Sequence, residues 1–288
     1  MESPVLAAVD GSEESVHAAS WAADDAVRRA APLRLLHAGL WLDQRPIDGG
    51  RGDDVQGEAR QMLADVAKTL LSNHPGLDID TRLIHHDSVE GLVSAAADGQ
   101  LLVLGSRGLG GFVGLLVGSV SLAVSARAET PTVVVRPEHG GAEPSGGEVV
   151  LGVDTKAAAD RLLEFAFAEA ALRGSRLRVV HGWNLPPTGS SLGWVIPPPS
   201  LGADVEKAEA EELGRLLQPW RERFPGIDVI EDVRFGGGAR ALVEVSGGVG
   251  LVVVGRRTRT HQAGWHLGPV AHAVLHHAKA PVAVVPHP

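Results

Sequence analysis

The chain has 288 residues and a mass of 30.0 kDa, a length that suits about two domains and a core that needs no staples. It contains no cysteine, which excludes disulfides, thiolate catalysis, iron–sulfur clusters and cysteine-type zinc sites together. A formal charge of −9 and an aromatic content of 4% without a tyrosine argue against sequence-independent binding to nucleic acid or to an anionic membrane.

The start, Met1-Glu2-Ser3-Pro4, lacks a basic segment and reads as the beginning of a cytoplasmic protein without a signal peptide. Val5-Leu6-Ala7-Ala8-Val9-Asp10 is a short buried strand. A helix follows, with Ser12 as N-cap, Glu13 and Glu14 in its first turn and an apolar stripe of Val16, Ala19, Ala23, Ala26 and Ala30. Leu33-Arg34-Leu35-Leu36-His37 is the second strand. Leu101-Leu102-Val103-Leu104-Gly105 is a later one, running into a glycine-rich segment, and Pro131-Thr132-Val133-Val134-Val135 closes the series. The Val/Leu runs are continuous rather than alternating, as in strands buried on both faces of a parallel sheet. Residues 108–126 carry no charge and approach the length of a membrane span. They read as a glycine loop entering a buried helix, because the equivalent stretch further on is full of Arg and His.

That equivalence is a repeat. Val149-Val150-Leu151-Gly152-Val153-Asp154 and Leu177-Arg178-Val179-Val180-His181 match the first two strands at an offset of 144. Leu251-Val252-Val253-Val254-Gly255 and Pro281-Val282-Ala283-Val284-Val285 match the last two at 150. Such a period is a whole domain, not a solenoid unit. The turn-rich stretch 138–147 separates copies spanning 1–138 and 148–288. Alternating strands and helices predict an α/β fold: two tandem, doubly wound, five-stranded parallel sheets of Rossmann-like type. In the second copy, Pro186-Pro187, Trp194 and Pro197-Pro198-Pro199 precede a helix near 204–217, and Trp183, Trp194 and Trp265 are candidates to pack there.

Open parallel sheets bind ligands beyond the C-terminal ends of their strands. In the first copy those ends are Asp10-Gly11-Ser12, Ala38-Gly39 and Gly105-Ser106-Arg107-Gly108. The glycines permit positive φ and close backbone approach to an anion. Gly118-Ser119 then opens a helix whose N-terminus favours phosphate. The segment is neither a Walker A loop nor a dinucleotide fingerprint, and tight helix–sheet packing would use the same glycines. Gly105, Gly108, Gly118 and Ser119 fit the spacing Gly-x2-Gly-x9-Gly-Ser/Thr. That pattern, Val9-Asp10-Gly11-Ser12 and Thr130-Pro131-Thr132-Val133-Val134-Val135 together resemble the universal stress protein family, once per copy across essentially the whole chain.

The resemblance implies an adenine nucleotide alpha hydrolase-like fold and an ATP site, with or without Mg2+, in the first copy. Asp10 would lie near adenine and ribose, and Ala38 would meet adenine through its backbone. Gly105, Arg107 and Gly108 would wrap ribose and phosphates. Gly118, Ser119 and Val120 would hold the phosphates. The resemblance also implies that the last strands of the copies, 132–136 and 281–285, pair into an intramolecular pseudo-dimer, that two tandem chains form a homodimer, and that the nucleotide sets the choice of a protein partner in stress adaptation. The second copy departs from the pattern. Thr258 replaces the second glycine and fits positive φ poorly. Pro269 replaces the serine and has neither hydroxyl nor backbone N–H. Lys156, Arg256, Arg257 and Arg259 make its mouth basic, so a small-anion site is an alternative there to a nucleotide site. His85, His86, His261, His266, His272, His276 and His277 form no recognised metal motif and read as solvated or capping groups. A slow ATPase or phosphotransfer enzyme, a module for AMP or cyclic AMP, and a nucleotide-free interaction protein are the rival readings.

Overall fold

The structure is a computed structural model, and it describes residues 3–40, 52–108, 116–137, 147–157, 159–184, 199–258 and 267–288. In the first half the order is β1 (Val5–Ala8), α1 (Glu13–Arg28), β2 (Leu33–Ala38), α2 (Gly52–Asn73), β3 (Ile79–Ile84), α3 (Ser88–Ala96), β4 (Leu101–Gly105), α4 (Ser119–Arg127) and β5 (Thr132–Val135). The second half repeats it: β6 (Val149–Gly152), α5 (Asp160–Arg173), β7 (Leu177–Trp183), α6 (Pro199–Arg223), β8 (Val229–Phe235), α7 (Gly238–Val245), β9 (Leu251–Arg257), α8 (Pro269–His277) and β10 (Val282–His287).

The strands form one ten-stranded sheet in the order β3-β2-β1-β4-β5-β10-β9-β6-β7-β8. Each half is parallel internally, and the halves join where β5 and β10 run antiparallel, with Val134 opposite Val282 and Thr132 opposite Val284. The expected pseudo-dimer is therefore present within one chain. Pairing removes two flat apolar edges that would otherwise template association. Alternation across the joint divides the core between the sheet's faces. Val133, Val135, Ala283 and Val285 pack with α1 and α5, whereas Val134, Val282 and Val284 pack with α7 and α8.

The α1–α5 contact holds a group of charges that sequence reading did not find. Asp25 and Glu169 are buried, at 0% and 2% exposure. Arg29 pairs with both acids, and Arg173 meets Asp25 at 2.9 Å and Glu169 at 3.2 Å. The guanidinium of Arg173 also lies over Trp21, 5.1 Å from the ring centroid. Asp25 with Glu169 and Arg29 with Arg173 are each related by the offset of 144, so the network obeys the internal symmetry. Each charge has an opposite partner, as burial requires. The two acids hold the Arg29 guanidinium above its ordinary pKa, against the opposing effect of burial.

Local signals explain the helix ends. The Ser12 side chain accepts from Ser15 N, as expected of the N-cap. Ala30, however, lies beyond α1 at φ +51 and is not part of its apolar stripe. The chain reverses there, with Ala31 N donating to Ala26 O at 3.0 Å. Its counterpart Gly174 does the same at φ +60 with the residue type that geometry prefers. Helix α6 exceeds the expected 204–217 and continues through Pro219, because its last turns place Trp220 and Phe224 against Phe167, with ring centroids 5.8 and 5.4 Å away. Trp194, Trp265, His261, His266 and Arg259 lie outside the described residues.

No helix among the described residues is long and apolar enough to cross a membrane. Of the uncharged stretch 108–126, the described residues are 108 and 116–126, the last eight of which lie in α4.

Candidate functional site

The strands β1, β2 and β4 end on the same edge of the first half, where α4 begins. Asp10 follows β1. Its Oδ1 accepts from Ser12 N at 3.0 Å and Ser12 Oγ at 2.6 Å, which locks the carboxylate over the Gly11 turn at φ +89. Ala38 ends β2, and its carbonyl accepts from Ser88 Oγ at 3.0 Å. Gly105 ends β4, and its carbonyl accepts from Ser121 Oγ at 2.7 Å, tying the first turn of α4 to the strand. Gly118 is the N-cap of α4 and its N–H donates to Ser106 O at 2.6 Å. Ser119 and Val120 follow, both exposed. The eight residues singled out from the sequence are thus gathered at one edge of the fold.

The reason for the glycines differs from expectation. Gly105, Gly108 and Gly118 do not have positive φ. They are needed for close approach. A Cβ on Gly108 would overlap Asp10 Oδ2, and one on Gly105 would press at 3.0 Å on the backbone of Glu14. Thr258 also lacks positive φ, so its β-branched side chain meets no backbone strain there.

Electrostatics add what the sequence did not reveal. Arg107 pairs with Glu14 at 3.0 Å while keeping 42% exposure. Arg136, at the end of β5, is held below its ordinary pKa by burial and by Arg107. Its guanidinium donates to the carbonyls of Ala278 and Leu275 at the C-terminus of α8, so it crosses into the second half. The first turn of α4 contains no acid and no side-chain cap, whereas α1 opens with Ser12, Glu13 and Glu14. An anion at this edge is favoured by α4 and opposed by α1.

The corresponding edge of the second half holds a cavity of about 770 Å³. Asp154 survives there, 4.0 Å from Arg257, with Lys156 3.7 Å from Glu209. His181 joins Val153 O at 3.0 Å and the Glu209 carboxylate at 3.1 Å. The strand path is different. Whereas β4 stops at Gly105, β9 continues to Arg257, paired with β10 as far as His287. Thr258 is fastened to His287 O through its N–H, at 2.6 Å, and its hydroxyl, at 3.0 Å. Arg256, expected at a basic mouth, is instead 2% exposed and donates to Ala128 O behind α4. Burial holds His287 below its ordinary pKa. Among the histidines, His272 and His276 share a face of α8 as their spacing implies, with ring centroids 4.5 Å apart.

Fold and site together define a tandem α/β protein whose two strand-end edges differ, the first carrying Gly105, Gly108 and Gly118 and the second holding the cavity. The model of the universal stress protein family matches residues 1–136 and again 147–286. Universal stress protein Rv2005c of Mycobacterium tuberculosis is 33% identical, covering 97% of this chain and 96% of its own. A universal stress protein of Mycolicibacterium smegmatis is 31% identical over 98% and 96%. The crystal structure of a universal stress protein from Archaeoglobus fulgidus agrees in fold, with a TM-score of 0.70, 19% identity and 99% of each chain covered. The chain belongs to the universal stress protein family.

Proposed function

We propose that the first half, residues 1–138, binds ATP, alone or with Mg2+, and acts as a nucleotide-dependent regulatory module in stress adaptation. Residues 148–288 form a partner domain whose nucleotide site has decayed. The observation that carries this reading is the meeting of a locked acid and an open helix N-terminus at one strand edge. Asp10 is fixed by Ser12 and leaves no room for a side chain at 108. Ser119 and Val120, just after the Gly118 N-cap, carry first-turn N–H groups of α4 that have no partner within the helix, with no acid among them. Asp10 would meet the sugar hydroxyls, Ala38 would line the base, Gly105, Arg107 and Gly108 would follow ribose and phosphate, and the α4 turn would receive the phosphates. In the second half, Pro269 takes the first helical position of α8 and supplies no N–H there. The extra pairing of β9 with β10 also keeps Arg256 and Arg257 from wrapping a phosphate chain.

The test is native mass spectrometry of desalted protein titrated with Mg-ATP, with phosphate release followed in parallel. One nucleotide per chain, lost in Gly108→Ala, is the expected result. Two per chain would refute the decayed second site. None at millimolar ATP would refute the nucleotide reading, and turnover abolished by Asp10→Ala would make the protein an enzyme instead.

A further inference from the structure

The basic mouth expected for the second half is not what the cavity there presents. Arg256 is buried and sends its guanidinium to Ala128 O across the β5–β10 joint. The other charges among the described lining residues are Lys156 and Arg257 against Asp154 and Glu209. They close on one another: Lys156 lies 3.7 Å from Glu209, and Arg257 lies 4.0 Å from Asp154. His181 engages both ring nitrogens, on Val153 O and on Glu209, and burial holds His287 below its ordinary pKa. The lining charges sum to zero, so an ion brought into this space would arrive without a counter-charge. The walls are apolar. Leu162 of α5, Leu242 of α7, Val254 of β9, Leu267 and Val270 of α8 line one space. Val270 is 37% exposed, so part of that apolar wall meets water, and covering it is favourable.

We propose that this cavity binds an uncharged small molecule with a largely apolar body, in place of a nucleotide. The body lies against Leu162, Leu242 and Val270, and the two ion pairs stay closed beside it. The volume of about 770 Å³ is within the range of ordinary small-molecule sites. The site is independent of the first half, so it stands or falls separately from the nucleotide reading.

The probe is N-phenyl-1-naphthylamine, a neutral dye, titrated by fluorescence into the intact chain. Three competitors share one ring system and differ in charge: naphthalenemethanol, naphthoate and naphthylmethylammonium. The alcohol should displace the probe at concentrations about tenfold lower than either ion. Val270→Trp, which fills the cavity from its rim, should weaken probe binding at least about tenfold. Val27→Trp, at a position 52% exposed on α1, should leave it unchanged. Lys156→Gln uncovers Glu209, so it should strengthen competition by the ammonium compound and leave the alcohol's within about twofold. Val270, Val27 and Lys156 are all exposed, so each variant should keep the parent's circular dichroism and melting temperature. The absence of saturable probe binding would overturn the proposal, as would probe binding indifferent to Val270→Trp in a folded variant. Displacement by naphthoate or the ammonium compound at concentrations no higher than the alcohol's would overturn it too. Displacement by Mg-ATP below the alcohol's concentration would do the same, and make the cavity a second nucleotide site.

Discussion

Replacing Ser119 with proline makes α4 open as α8 already does. The backbones permit it. The N-cap Gly118 has φ −72 and ψ 152, and Gly268, which precedes Pro269, has φ −61 and ψ 159. Both are extended, as a residue before proline must be. Proline is favoured at the first helical position because the N–H it lacks has no partner in the helix. Ser119 is exposed, so no core contact is lost. The substitution therefore removes two donors, the Ser119 N–H and its hydroxyl, and little else. A hydrogen bond to a charged group contributes about 1.5–3 kcal/mol. At an exposed rim the lower value applies to each, so the loss is about 3 kcal/mol, or roughly a hundredfold in Kd. Isothermal titration with Mg-ATP measures it, with circular dichroism as the folding control. A Kd within threefold of the parent's, in a folded variant, would refute the assignment of α4 as the phosphate end. The reverse change, Pro269→Ser, should not create an ATP site, because β9 remains zipped to β10 through Arg257.

Ala30→Gly should stabilise the chain by about 0.5–1 kcal/mol and Gly174→Ala should destabilise it by a similar amount, since both positions hold positive φ; urea denaturation reads both, and equal midpoints would refute the argument. Asp25→Ala strips one acid from the buried network and leaves Arg29 and Arg173 short of a partner. It should cost about 3–5 kcal/mol, seen as a melting temperature lower by about 5–8 °C, whereas Glu212→Ala at an exposed pair should change it by less than about 1 °C. His276 is held below its ordinary pKa by burial and by His272, His277 and Arg136. The unfolded chain therefore takes that proton first. The stability involved is present above the unfolded value of 6.5 and is lost as pH falls through it toward the folded value. The melting temperature of His276→Gln should drop less between pH 7.5 and 5.5 than the parent's, and an equal drop would contradict the sign.

The fold was legible because the chain states it twice. Continuous Val and Leu runs at matched offsets required buried parallel strands, and the apolar edge runs 132–136 and 281–285 required a cover, which each supplies to the other. The site residues were legible as a spacing, but not for their reason. Glycine at 108 reads from sequence as freedom in φ, whereas its neighbour Asp10 Oδ2 makes it a question of space. Such a contact joins residues 98 apart in the chain, and no local pattern encodes it. The same holds for Asp25 and Glu169. Each sits at a position that reads as the polar side of a helix, and only the packing of α1 on α5 buries it. The offset of 144 between them was a visible signal, since an acid and an arginine recur at matched positions in both copies.

The alteration of the second cleft is best understood from Arg256. Its equivalent in the first half is Ser106, a small side chain at the point where the backbone leaves the sheet for the glycine segment. Arg256 instead extends to the carbonyl of Ala128, the C-cap of α4. That anchor lies across the β5–β10 joint and holds the residue in strand geometry, which continues through Arg257 to the Thr258 bonds on His287 O. Arg136 makes the reciprocal tie, from β5 to the end of α8. Each half thus spends an arginine on the C-terminus of the other's last helix, where a cation opposes the helix dipole favourably. In the first half that arginine comes from the end of β5, outside the 105–108 segment, and the segment keeps its glycines. In the second half it comes from within the segment itself, and the tie that strengthens the joint is the same one that straightens the loop.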